Sequence, residues 1–390
     1  MTGEAAGMTK LTAVGLAGTA KNTGKTTATA AIIREGSRYA LLGVTSIGYD
    51  GETVDNVTRL PKPRLPVPEG TLVATARTCL GAGSARLEIL EDTTLPTPLG
   101  TVAVARVVEA GTVLLAGPNN TGDLQACLQA LRAEGAELTL VDGALNRLAP
   151  MAATGGIVLC TGAARVADAE ILAREAAGYD FLFNLPSASR EIAADLQPVE
   201  GAGELHSAEA GTILLLGRGG QTQALPFGSL LVHSKSAQVL CAAERAAAGQ
   251  DGLRGIFIPG ALGETALGEL LSGLSRIGAP EVLAEDVTKL LVGGKPDGLA
   301  RLISEYRERG GRFGLRRRIP LLAVTVCPFY PLYRKTQGDY QPAYLDAGLL
   351  WREVAAAVQV PVVDVVRQGA GELIGAMKGA GRVRAGECQS

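Results

Sequence analysis

Ten consecutive residues, Gly18 to Thr27 (GTAKNTGKTT), combine the residue types that hold phosphate. Gly24-Lys25-Thr26 closes the run as a Walker A loop closes. In the common form of that loop a glycine lies five residues before the second glycine; Thr19 stands there, and Gly18 comes one residue earlier. The spacing is a variant, and the chemistry survives it. Successive backbone N–H groups of Gly18, Thr19, Asn22, Thr23 and Thr27 can line an anion cradle, completed by the start of a helix. Gly24 lets the backbone come close to a phosphate. Lys25 can neutralise charge at the β- and γ-phosphates, and Thr26 can offer a hydroxyl to Mg²⁺. Lys21 is open between a second phosphate contact and a solvated charge.

A metal ion beside such a loop needs a carboxylate. Leu138–Gly143 (LTLVDG) runs apolar into Asp142, so a strand would end in a metal-holding group. The plainer alternative is an aspartate that caps the next turn. Asp50 is a further metal candidate, in a polar loop (TSIGYDGETVDNV) that also carries Glu52 and Asp55. Asn146 and Arg147 could face a nucleotide or a partner, or be ordinary surface residues. GPNNTGD (Gly117–Asp123) could line a pocket, but Thr121 and Asp123 read better as helix-capping residues.

These residues must be delivered by regular elements. Leu11–Gly18 reads as a buried strand, TTATAAIIRE as a helix, and Leu41–Val44 as the next strand. Ser46 to Pro68 holds Pro61, Pro63, Pro66 and Pro68 and reads as a long arm, with Arg59, Lys62 and Arg64 as a basic cluster suited to acidic surface. Strand-like apolar runs follow at Val102–Val108, Thr112–Ala116, Leu138–Val141, Gly156–Cys160 and Phe181–Phe183. Helices are predicted over Asp123–Glu134 and Val166–Ala177. A second series (TILLLG, SLLVHS, GIFIPG, EVLAED, PLLAVTV, VPVVDV) begins near Gly211 and alternates with helices at Ala237–Ala248, Glu264–Leu274 and Tyr344–Val358. The alternation predicts an α/β fold with a mainly parallel sheet: a P-loop nucleotide-binding domain over residues 1–200, then a second α/β lobe over 201–390.

Composition narrows the function. With 47% hydrophobic residues the chain can bury a large core, and 37 basic residues against 39 acidic leave no field that would attract nucleic acid. No apolar run approaches the roughly 20 residues of a membrane helix. The start MTGEAAGMTK lacks the pattern of a secretory signal, so a cytoplasmic setting is expected. Six cysteines without a CxxC pair read as reduced thiols. Only His206 and His233 supply imidazole, too few for a zinc site or a Ser-His-Asp triad; His233 reads as structural.

GTAKNTGKTT, the arm TSIGYDGETVDNVTRLPKPRLPVPEGTLVATA and VDGALNR together resemble the small P-loop reactivase subunit of the lysine 5,6-aminomutase system. That resemblance covers roughly the N-terminal half and lacks a sharp motif beyond it. It implies ATP and Mg²⁺ as ligands and ATP-dependent exchange of damaged cobalamin on an adenosylcobalamin enzyme. It also implies lysine 5,6-aminomutase and a larger reactivase ATPase subunit as partners. The loop is similar, too, to those of dethiobiotin synthetase and of the nucleotide-binding proteins of molybdopterin guanine dinucleotide synthesis. A stand-alone carboxylate-activating ligase and a nucleotide-binding module without hydrolysis are therefore the rival functions. No guanine-reading motif is evident, and a homo-oligomer is compatible with the residues.

Overall fold

The computed structural model describes residues 12–49, 64–144, 148–196, 211–249, 252–334 and 338–383. The chain forms two compact units, Met1–Ala173 with Pro320–Ser390, and Arg174–Ile319.

Strand β1 (Ala13–Gly18) is buried throughout and is followed by helix α1 (Lys25–Gly36) and β2 (Leu42–Ser46). Next come β3 (Leu65–Val67), β4 (Leu72–Ala76), the long pair β5 (Arg86–Thr97) and β6 (Gly100–Glu109), and the short β7 (Gly111–Val113). Helix α2 (Thr121–Ala133) leads into β8 (Leu138–Ala144), and β9 (Ile157–Gly162) into α3 (Ala169–Phe183).

The second unit takes most of α3, then α4 (Arg190–Asp195), β10 (Ile213–Gly217), β11 (Thr222–Leu225) and α5 (His233–Ala248). It continues through β12 (Leu253–Ile258), α6 (Glu264–Leu274), β13 (Glu281–Ala284), α7 (Val287–Leu291), α8 (Pro296–Glu308) and β14 (Phe313–Leu315). The chain then returns to the first unit as β15 (Leu321–Cys327), β16 (Phe329–Arg334), β17 (Asp339–Tyr344), α9 (Ala347–Ala357), β18 (Val362–Val363), α10 (Val365–Gln368) and α11 (Gly371–Val383).

The first unit is built on a nine-stranded sheet of order β18-β15-β9-β1-β8-β2-β4-β6-β5. Every pairing from β18 to β4 is parallel; β6 and β5 are added antiparallel at one edge. Alternate residues of a strand face opposite sides of a sheet, and β4 shows this directly. Its Val73 joins a core with Ile32 and Ile33 of α1 and Leu373 and Met377 of α11. Its Leu72 and Ala74 pack with Cys127 and Leu131 of α2. The sheet is thus covered on both faces, as parallel strands with continuous apolar runs require. The second unit holds a five-stranded sheet, β11-β10-β12-β13-β14, whose last three strands are parallel. The α/β class expected from the alternation is the observed one.

The units divide the chain differently from a 1–200 and 201–390 partition. The runs PLLAVTV and VPVVDV rejoin the first sheet, where β15 pairs with β9 and β18 with β15. Residues Leu321–Val326 are all buried, so this run needs neighbours on both sides and both faces, and the free edge of β9 supplies one of them. Two apolar runs also differ from the strand reading. Phe181–Phe183 forms the last turn of α3. In SLLVHS only Leu230 makes a bridge, to Leu262, while Leu231 and Val232 are exposed and α5 begins at His233.

Candidate phosphate-binding site

β1 lies at the centre of the parallel strands, with Gly18 opposite Ala144 of β8 and Cys160 of β9. The turn Thr19–Gly24 therefore leaves the sheet at the carboxyl ends of its strands, where open α/β sheets hold ligands. Buried contacts fix it: the Thr19 N–H donates to the Cys160 carbonyl at 2.9 Å, and the Thr19 hydroxyl to Thr161 Oγ1 at 3.1 Å. The Thr23 hydroxyl donates to the Ala20 carbonyl at 3.0 Å, tying the turn to itself.

Two left-handed residues give the turn its curl, Asn22 at φ 63° and Gly24 at φ 81°. Glycine is required at the second for two reasons. The conformation penalises a side chain, and a Cβ there would lie 3.0 Å from Cβ of Cys327.

Gly24 is also the N-cap of α1. It offers no side chain to the first-turn N–H groups, and that turn contains no acidic residue. A helix start carries orphan donors and a partial positive charge, and here neither is answered by a cap. The 12-residue helix is held by Ala28, Ile32 and Ile33 on its buried face. Its Glu35 accepts from the Ala370 N–H at 2.9 Å, tying α1 to the start of α11.

Lys25 and Asp142 meet across this site. Asp142 lies opposite Leu16 of β1 on one side and Ser46 of β2 on the other, and its carboxylate pairs directly with the Lys25 ammonium. Both side chains are largely shielded, at 18% and 25% exposure. Among the described residues the carboxylate of Asp142 is partnered by the loop lysine, and the turn that follows β8, which the capping alternative concerns, lies outside the described residues. Thr26 is half-buried, while Lys21, Asn22 and Thr27 are exposed at the rim.

The structure therefore brings Gly18, Thr19, Thr23, Gly24, Lys25, Thr26 and Asp142 to one edge. Asp50, Glu52, Asp55, Arg59, Lys62, Asn146, Arg147 and His206 lie outside the described residues. Among the described residues, no group of three or more His, Cys, Asp or Glu could hold a metal by itself. Asn120, rather than Thr121, is the N-cap of α2, accepting from the Asp123 N–H at 2.9 Å. His233 is exposed at the start of α5, with Nδ1 2.7 Å from Glu269. Cys79, Cys127, Cys160, Cys241 and Cys327 are free thiols. No helix among the described residues is long and apolar enough to cross a membrane.

The site has a far wall, missed in the sequence, made by β9 and β15. Cys160 is buried beneath the loop, and burial pushes its thiol up to about 11. Cys327 ends β15 against Gly24, its pKa raised by burial and moderated by the Phe329 N–H. Nothing in the local pattern of LLAVTVC ties it to a loop some three hundred residues earlier; only the sheet order does. A second cavity, of about 460 Å³ within the other unit, is lined by Arg218, Arg254, Arg312, Glu191 and Glu281. Two of its arginines are answered by carboxylates, Arg254 by Asp195 and Arg312 by Glu281.

Comparison with known proteins gave no matching family model, no matching curated protein and no matching solved structure. The chemistry of the site is therefore carried by its geometry.

Proposed function

We propose that this chain is a P-loop NTPase subunit that binds ATP with Mg²⁺ at the turn between β1 and α1 and hydrolyses it. The observation that supports this most is the ion pair of Lys25 and Asp142 at the mouth of an uncapped helix. A phosphate chain fits there: the N–H groups of residues 22–27 take its oxygens, and Lys25 adds a localised positive charge. Thr26 and Asp142 supply hard oxygen ligands of the kind Mg²⁺ uses alongside phosphate and water. Asp50 remains a third candidate ligand, and Gly18, Thr19, Lys21 and Asn22 complete the cradle. The metal, when bound, offsets charge that builds on the phosphates during transfer.

Lys25 and Asp142 satisfy each other in this structure. Binding would exchange partners: the ammonium turns to phosphate while the carboxylate turns to the cation. Each shielded charge then keeps an opposite charge, which avoids the cost of leaving one bare.

The resemblance of GTAKNTGKTT, the proline-bearing arm and VDGALNR supports a particular use of that turnover. In it the chain acts in the cytoplasm with a larger ATPase subunit to release damaged cobalamin from lysine 5,6-aminomutase. The test is phosphate release by the purified chain alone, with the larger subunit, and with inactivated aminomutase, alongside recovery of aminomutase activity. Mg²⁺-dependent release that rises with the partners, together with recovery, is expected. ATP binding without partner-dependent recovery would leave a nucleotide site and remove the reactivase role.

A further inference from the structure

A phosphate cradle grips one end of a nucleotide, and the base must rest elsewhere. We infer that the paired strands β16 and β17 form the base platform, with the rings of Phe329 and Tyr344 at their root as the stacking surface. This rests on the phosphate-site reading above and extends it to the other end of the ligand.

Aromatic residues are only 4% of the chain, yet Phe329, Tyr330, Tyr333, Tyr340 and Tyr344 crowd into one hairpin. β16 and β17 pair only with each other among the described strands. Their register places Phe329 opposite Tyr344, Pro331 opposite Pro342 and Tyr333 opposite Tyr340. Alternation puts these three pairs on one face, an aromatic and proline ladder. Such a face is normally sunk in a core, but Tyr344 is 66% exposed and Tyr333 50%. The root pair, Phe329 and Tyr344, meets edge-to-face with ring centres 5.7 Å apart.

Position selects the ligand. The hairpin leaves the sheet at the end of β15, and Cys327 of that strand abuts Gly24 of the phosphate turn. Phe329 follows two residues later, about 7 Å of extended chain. Across the sheet, β15 is separated from β1 by β9 alone, so the two strand ends are about 10 Å apart. That separation suits a nucleotide with its phosphates on α1 and its base over the hairpin root. On the opposite side of β1 stand Asp142 and then Ser46, whose hydroxyl bonds the Gly48 carbonyl and the Gly117 N–H. Val366, in α10 just after β18, is 77% exposed. A ring face accepts any base by stacking, so the platform supplies affinity with little choice among purines.

The test compares ADP with inorganic tripolyphosphate, which has phosphates and no base. Calorimetric binding to the full chain and to Phe329→Leu, Tyr344→Ala and Phe329→Tyr separates the two ends of the ligand. Phe329→Leu keeps apolar volume and loses only the ring, and circular dichroism checks that each variant is folded. Phe329→Leu and Tyr344→Ala are expected to weaken ADP about tenfold while tripolyphosphate is unchanged, and Phe329→Tyr to bind ADP as the parent does. ADP affinity within twofold of the parent in both loss variants overturns the platform and leaves the phosphate site standing. An equal fall for both ligands overturns it too, because the hairpin would then act only through the turn. A parent chain that binds neither ligand removes the phosphate site and the platform together.

Discussion

Lys25 pairs with Asp142 in the structure and, in the function proposed above, exchanges it for phosphate. Lys25→Ala should weaken ATP by about tenfold to a hundredfold, the range of a charge-assisted contact, without unfolding the chain. Asp142→Asn keeps the size of the side chain and removes its charge. It should depress Mg²⁺-dependent phosphate release more than nucleotide binding, and measuring both in one preparation checks this; unchanged release would leave Asp142 only a partner for Lys25. Gly24→Ala forces a side chain into a left-handed position and towards Cys327. A cost of about 1–2 kcal/mol in chemical denaturation is expected from the backbone alone, with ATP binding lost as the turn shifts. The thiols give a pH prediction. Burial raises Cys127 and Cys160 from 9.0 to about 11, so above pH 9 the unfolded chain loses protons that the folded chain keeps. Stability is therefore whole below pH 9 and falls between about pH 9 and 11; denaturant midpoints across that range measure it, and a flat profile would contradict the burial. At this scale the turn between β1 and α1 was legible, because an apolar strand, a glycine-bearing turn and a helix start form one local run of residues. Cys327 was not, since its role comes from a neighbour distant in sequence.

Among the elements, α7 depends on one buried carboxylate. Asp286, 1% exposed, accepts from the Thr288 N–H at 2.9 Å and the Thr288 hydroxyl at 2.5 Å, and pairs with Arg317 at 3.2 Å. Asp286→Ala removes the cap and the ion-pair partner together and should cost about 3 kcal/mol. Asp286→Asn keeps an acceptor for the cap and should cost less; urea denaturation of the two variants ranks them. Helices with an apolar period and clear ends were the most legible elements. Glu264–Leu274 was expected with the observed bounds, since Gly263 precedes it and Leu267, Leu270, Leu271 and Leu274 form its buried stripe. Short apolar runs were less so. SLLVHS and Phe181–Phe183 have strand composition, and in runs this short periodicity cannot separate a strand from a helix turn. The long β5 strand escaped notice because it is polar: RLEILEDTTLPT lies at the sheet edge and is exposed or half-buried throughout. Charge on an edge strand discourages pairing with other chains, and it also hides the strand from a hydrophobicity reading.

On the scale of the whole molecule, the first unit is discontinuous in sequence, with Arg174–Ile319 set between β9 and β15. The alternation of strands and helices disclosed the α/β class but not this interruption, because an apolar run does not name the sheet it joins. A chain ending at Ile319 would expose the β9 edge, lose the α11 side of the core and lack Cys327 beside Gly24. It should be insoluble or fail to bind ATP, whereas Lys25→Ala in the full chain should stay soluble; centrifugation and calorimetry distinguish them. The late return of β15 also has a consequence during synthesis. A ribosome makes β1, α1, β8 and β9 long before the strand that borders them, and domains generally fold as they emerge. For the time needed to make Arg174–Ile319, the nascent sheet presents an open parallel edge of Val158, Leu159 and Cys160, an invitation to wrong pairing that a chaperone would have to shield. If the turn holds ATP as proposed, that ability would arrive only as β15 docks and Cys327 closes against Gly24, so that nucleotide retention would report a completed first sheet.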